Sequence, residues 1–288
     1  HIFDRDAMIE KLFFDEYVPM TSFWQYGAYA NPDNPPMPYD EFKAVELLEE
    51  AGWTEINGEG YRERDGKVLQ FEVLYASAFS EPPLTKWQES AKRAGIKLDL
   101  KLLTPPALWK QLREKQYDIC SVAWGALLFP NPSTAWGGQY AEKVDTNNVT
   151  SINDPQIDAL IAKYDQERDQ KKREAIIRQL DARAYELQPY VLAWYLPSQR
   201  VLVSNKLGFP EPWGTGRFGK RVGDNHITDY WWVDPDKAKA YDAAKADESL
   251  TMEKRKIDWR FWEQWSVAQL AKADAPAEPA VPAAEDAE

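Results

Sequence analysis

The sequence predicts an α/β protein with a parallel βαβαβ core, on three observations. Residues 69–76 alternate Phe71, Val73 and Tyr75 with polar neighbours, and residues 96–103 do the same with Ile96, Leu98, Leu100 and Leu102, the period of a half-buried strand. A short apolar run, Ile119 to Trp124, stands between Asp118 and Gly125 and reads as a third, buried strand over 118–124. Helical patterns at 81–94 and 106–114 separate the three. Strand, helix, strand, helix, strand with short links implies parallel strands and right-handed crossovers.

The other elements follow in order. Asp4 to Phe14 is expected to be a helix with Ile9, Leu12 and Phe13 on one face. A loop rich in proline and aromatics runs from Pro19 to Pro38. Asp40 to Ala51 is a second helix, carrying Phe42, Val45, Leu47 and Leu48 and stopped by Gly52. Gly58, Gly60 and Asp65-Gly66 mark the turns of a small hairpin. Prolines open the helix at 81–94 and Gly95 stops it. Beyond the core, Asp154-Pro155 opens a helix to about 167. A longer one, about 170–187, places Ile176, Ile177, Leu180, Ala184 and Leu187 at helical spacing before Pro189. Strands are expected at 191–195 and 200–203, loops over 208–230, a polar helix at 235–246 and a further helix over 251–272. The acidic Ala/Pro tail, 273–288, is expected to be disordered, because it offers too little apolar surface to offset ordering entropy.

The chain has 288 residues, 44% hydrophobic and 28% charged, which fits a globular protein of one large or two ordinary domains. A formal net charge of −12 disfavours nucleic acid and anionic membrane as partners. No apolar run approaches a membrane span. The single cysteine, Cys120, excludes an intrachain disulfide and reads as a small core residue. The 13 tryptophans serve packing for the most part. The sharper reading, that three or four line a cleft with flat, stiff side chains, stays open beside it. The chain begins at His1, without methionine and inside a helical pattern, so a fragment of a longer protein is expected.

Ligands in open α/β sheets bind just beyond the carboxyl ends of the strands. That rule draws attention to the loop after the third strand. Trp124, Gly125, Ala126, Leu127, Leu128, Phe129, Asn131 and Trp136 are the candidate ligand-binding residues, with Trp124, Phe129 and Trp136 expected on one rim. Pro130 and Pro132 stiffen this loop and lower the ordering cost of binding. The alternative is that all three aromatics belong to the core.

Other motifs carry little. Gly214-Thr-Gly216-Arg-Phe-Gly219 matches G-x-G-x-x-G, yet no strand leads into it and no helix opens from it, so a plain loop is favoured. The two histidines, His1 and His226, lie far from Cys120 in sequence, and no metal or other cofactor is expected. With so few histidines no nucleophile and base pair is evident, and no catalytic residue is proposed. Asn148-Val-Thr150 fits a glycosylation acceptor but is read as loop chemistry.

Several stretches resemble family 5 of the extracellular solute-binding proteins, the peptide and nickel receptors of ABC importers. They are HIFDRDAMIEKLFF, YDEFKAVELLEEAGW, FEVLYASAFSEPPLTKWQESAKRAGIKLDLKLL, YDICSVAWG, SINDPQIDALI and LQPYVLAWYLPSQRV. The late DYWWVDPDKA resembles the oligopeptide and microcin C subgroup. Order and spacing carry the resemblance, which covers roughly residues 1–240. It implies a lobe of the type II periplasmic-binding-protein kind over 1–194 and a return segment of the other lobe over 195–250, with the rest of that lobe upstream. It also implies no enzymatic chemistry, a peptide or peptide-like solute, a membrane permease as partner, a monomer, and a periplasmic or lipid-anchored extracellular location. Many peptide-binding members carry an Asp a few residues after the strand's Trp, pairing with the peptide's amino terminus. Here Leu127 and Leu128 follow, and no acid comes before Glu142. A free ammonium would lack its partner there, so N-blocked or modified peptides are expected. The rival function is a carbohydrate-binding or carboxylate-based glycoside-processing protein, because tryptophan-rich clefts also hold sugars. It would need two carboxylates facing each other across a pocket. A third reading is an interaction module built on the tryptophan-rich C-terminal helix.

Overall fold

The computed structural model describes residues 1–25, 27–125, 129–198, 202–209, 231–252 and 254. Asp4 caps α1 (Arg5–Phe13), its carboxylate accepting from the Ala7 amide at 3.2 Å. The short β1 (Val18–Pro19) follows. Asp40 caps α2 (Glu41–Glu50) through the Lys43 amide at 2.9 Å. An antiparallel meander of β2 (Glu55–Ile56), β3 (Arg62–Arg64) and β4 (Lys67–Val68) forms the expected hairpin region. The core unit is β5 (Gln70–Tyr75), α3 (Glu81–Arg93), β6 (Lys97–Leu102), α4 (Pro105–Arg113) and β7 (Ile119–Cys120). Prolines stand in the first turn of α3 and α4, where a missing N–H costs nothing.

β5, β6 and β7 form one parallel sheet in the order β6-β5-β7. Val73 pairs with Leu100 on one side and Ile119 on the other. β7 is two residues long, not the 118–124 expected. The reason lies in its neighbour. Among the described residues β5 is its sole partner, the register matches Leu74 to Cys120, and β5 ends at Tyr75. Ser121 still donates to the Leu74 carbonyl at 2.8 Å, but beyond it the ladder offers nothing, and Val122 to Trp124 continue as loop. Val73, Tyr75 and Leu98 pack with Leu84 and Ala91 of α3 in one core cluster. Strand alternation turns the fully buried Leu74 to the opposite face.

A second core lies under three further helices, α5 (Pro132–Trp136), α6 (Pro155–Gln166) and α7 (Gln170–Leu187). Trp136, Ile157, Leu160, Tyr164, Ile177 and Leu180 fill it. Asp154 caps α6 through the amides of Gln156 and Ile157 and accepts the Arg183 guanidinium of α7 at 2.7 Å. Asp181, buried on α7, accepts from Ser22 Oγ at 2.8 Å, the Phe23 amide at 2.7 Å and Asn34 Nδ2 at 2.6 Å, and so pins the loop before α2. β8 (Trp194–Tyr195) pairs antiparallel with β1. It is shorter than the expected 191–195.

The chain divides into two compact units, His1–Gln199 and Arg200–Glu288. In the second, β9 (Leu207–Gly208) pairs antiparallel with β10 (Trp232–Val233), and Asp234 caps the polar α8 (Pro235–Ala246). Of the strand expected at 200–203, Leu202 and Val203 are described and are not strand. Residues 210–230 of the expected loop region, the G-x-G-x-x-G stretch, nearly all of the 251–272 helix and the 273–288 tail lie outside the described residues. Among the described residues no helix is long and apolar enough to cross a membrane.

Candidate functional site

The sheet order decides where a ligand can meet this lobe. From β5 the chain crosses to β6 on one side, then passes back over to β7 on the other. Crossovers of one hand in opposite directions put their helices on opposite faces and leave a crevice between β5 and β7 at their carboxyl ends. Two segments frame that switch point, 76–80 after β5, and 121–125 with 129–131 after β7.

The first loop presents Phe79, which is 62% exposed although its ring meets Phe13 at 5.5 Å. The second presents Trp124, 39% exposed, and Phe129, 58% exposed. A side chain at Gly125 would meet open space, and Asn131 is exposed with no cap bond from its side chain to α5. Ala126, Leu127 and Leu128 lie outside the described residues. Trp124 does not stand alone. Trp109, on α4, meets it edge to face, with ring centroids 5.7 Å apart, planes at 72° and 37% of Trp109 exposed.

Trp136 corrects the expected rim. It is 0% exposed and packs between Phe23 at 4.9 Å and Trp24 at 4.4 Å in the helical core. The turn of α5 carries it inward beside the buried Pro132. Beside it, burial pushes the Tyr190 hydroxyl up to about 12. Cys120 is shielded likewise, its thiol pushed up to about 11 by desolvation, so it stays protonated near neutral pH and is a poor nucleophile. Asn148 is fully buried, donating to the carbonyls of Gly137 at 3.0 Å and Ile152 at 2.8 Å, which leaves no amide for a glycan.

Sequence reasoning missed Trp109 and Phe79. The signal for Trp109 was an aromatic one position off the buried Leu108 and Leu112 stripe, hence at the margin of its helix. Acidic groups flank the first loop: Glu81, which opens α3 directly after it, lines a groove with Ala78, Leu12, Thr85, Lys86 and Glu89. A larger open groove, about 720 Å³, is lined by residues of α1, α2 and α3, and several of its polar groups are paired. Glu41 pairs there with Arg93, which holds its carboxyl below the usual range, and Asp4 and Asp40 serve as caps.

A parallel 2-1-3 sheet with aromatic loops at its switch point fits the type II periplasmic-binding-protein fold. The chain belongs to the bacterial extracellular solute-binding proteins of family 5, whose middle-region description matches residues 1–147. It is 30% identical over 186 residues to an uncharacterized protein, y4wM, of Sinorhizobium fredii, covering 59% of this chain and 28% of that protein. It is 24% identical over 215 residues to the oligopeptide-binding protein AppA of Bacillus subtilis, covering 72% and 39%. The solved structure of AppA in complex with a nonapeptide superposes with a TM-score of 0.67 at 21% identity, over 81% of this chain and 45% of that one. The chain thus spans 28% and 39% of these two relatives, about a third of their length.

Proposed function

We propose that this chain carries the second ligand-binding lobe of an extracytoplasmic receptor for an ABC importer, which captures peptides or peptide-like solutes and hands them to a membrane permease. The observation that carries the reading is the exposed aromatics on the loops after the parallel strands, Phe79 after β5 and Trp124 and Phe129 after β7, with Trp109 against Trp124. Such a surface binds by area and stacking, needs no covalent step, and holds a solute reversibly. Residues 195–250 would return to the first lobe. Gly125 and Asn131 would add backbone and polar contacts, and Trp136 supports the loop from the core; Ala126, Leu127 and Leu128 remain candidates outside the described residues.

The finer reading concerns charge. No Asp or Glu lies between Asp118 and Glu142, so the loop after β7 offers no carboxylate to a free amino terminus. An unpaired ammonium there would keep its desolvation cost, which favours N-blocked or modified peptides. Titration calorimetry on the complete two-lobed receptor with N-formyl-Ala-Phe-Ala and free Ala-Phe-Ala tests this. The formyl peptide is expected to bind more tightly, and Trp124→Ala to weaken it by about 1–3 kcal/mol without unfolding the lobe. Binding of neither peptide to the unaltered receptor refutes the peptide reading; tighter binding of the free peptide refutes the charge argument.

A further inference from the structure

We propose that Trp109 is a positioning residue for this site, and that with Trp124 it makes a two-sided aromatic corner selecting ligands with an aromatic side chain. The inference rests on the peptide-binding reading above.

Trp124 sits in a stretch with no ladder partner, because β5 has already ended, so backbone pairing does not fix its ring. Its neighbour Gly125 has open space around it and adds no side-chain support. Among the described residues its ring meets Trp109 edge to face. Trp109 in turn is anchored, since α4 buries Leu108 and Leu112 and starts on Pro105 and Pro106.

The exposure is unusual for a packed pair. Two indoles in contact still leave 37% and 39% of their surfaces open. Planes crossing at 72° form a corner, with the face of one ring next to the edge of the other. A third ring entering that corner can meet a negative face and a positive edge together, which an aliphatic group of equal size cannot exploit. The corner therefore favours flat, uncharged, aromatic groups over aliphatic ones.

The test uses the complete two-lobed receptor with N-formyl-Ala-Phe-Ala and N-formyl-Ala-Ala-Ala. The unaltered receptor is expected to prefer the phenylalanine peptide, and Trp109→Ala to lower that preference roughly three- to tenfold, with Trp109→Phe falling between. Circular dichroism supplies a readout that does not depend on ligand. The Trp109–Trp124 contribution to the exciton signal, read as the difference from the unaltered protein because Trp24 and Trp136 couple as well, is expected to be lost equally in Trp109→Ala and Trp124→Ala, and the double variant to lose no coupling further. An unchanged signal in Trp109→Ala overturns the proposal, because the pair is then not formed. A lost contribution with an unchanged preference overturns it too, because Trp109 then only packs. Should Trp109→Ala not fold, the Trp109→Phe preference decides: full retention overturns the proposal. If the unaltered receptor binds neither peptide, the peptide reading itself falls, an outcome distinct from all of these.

Discussion

Asp181 holds the loop before α2 against α7, and its removal should be costly in a calculable way. The carboxylate is 2% exposed and accepts from Ser22 Oγ, the Phe23 amide and Asn34 Nδ2 at 2.6–2.8 Å. Each such bond to a charged acceptor is worth about 1.5–3 kcal/mol, and Asp181→Ala strands all three donors. Against that stands the burial cost of the carboxylate, which raises its pKa despite those bonds. The net loss is expected to be about 2–4 kcal/mol. Asp181→Asn keeps the shape and the Phe23 bond but turns an amide N–H₂ toward Asn34 Nδ2, and should lose about 1–3 kcal/mol. The sign of the pH effect follows from linkage. A raised native pKa means the folded state keeps a proton that the unfolded chain releases, so this group's contribution falls as pH rises from the usual carboxylate range through the raised value. Asp154 and Glu41 act oppositely, their lowered values costing stability as pH falls. Asp181→Asn should therefore lose stability more steeply on acidification than the unaltered protein. Urea unfolding between pH 4 and 7 reads both effects. A loss below about 1 kcal/mol for Asp181→Ala, or no steepening for Asp181→Asn, would refute the account.

Gly95 has φ +84°, and a Cβ there would stand 2.6 Å from Cγ of the buried Arg62. Gly95→Ala is expected to cost more than about 2 kcal/mol by urea midpoint, combining positive-φ strain with a clash. Asp154→Ala removes both a helix cap and the Arg183 partner, and should lose about 1.5–3 kcal/mol, most of it absent when the measurement is repeated well below the carboxylate's lowered pKa. Trp136→Ala should destabilise the first unit by about 3–5 kcal/mol, whereas Trp124→Ala should cost less than about 1.5 kcal/mol, a contrast that thermal unfolding of the two variants checks directly.

The parallel core was readable because its strands carry a strict period of two and its helices are closed by proline and glycine. Those signals are local. The length of β7 was not readable, since it depends on where β5 stops, a fact of register and not of the residues 121–124. The fate of Trp136 was hidden for a similar reason. An aromatic after two prolines looks the same whether its turn faces a cleft or the Phe23 and Trp24 rings, which are more than a hundred residues upstream. The carboxyl-end rule pointed to the loop that carries Trp124, yet its neighbour Trp109 escaped notice because it lies on a helix read only as a crossover between strands. Asp181 escaped too: an acid mid-helix looks solvated until the loop at 21–34 is folded over it.

Arg5 gives the first unit an unusual fastening. Its guanidinium donates through Nη1 to the carbonyls of Met20 at 2.6 Å and Leu192 at 2.7 Å, beside the β1 and β8 pair, across a sequence separation of 187 residues. Few contacts in the unit close so long a loop, and loop-closure entropy makes such contacts late events. The seam should therefore form after the parallel core and the helical core are each in place, and Arg5→Ala should speed unfolding while leaving the folding rate nearly unchanged. The same seam brings the beginning and the end of the unit to one place. A circularly permuted unit joined there, and opened instead at the exposed turn around Glu59, should keep its fold, because its ends already meet in the native structure.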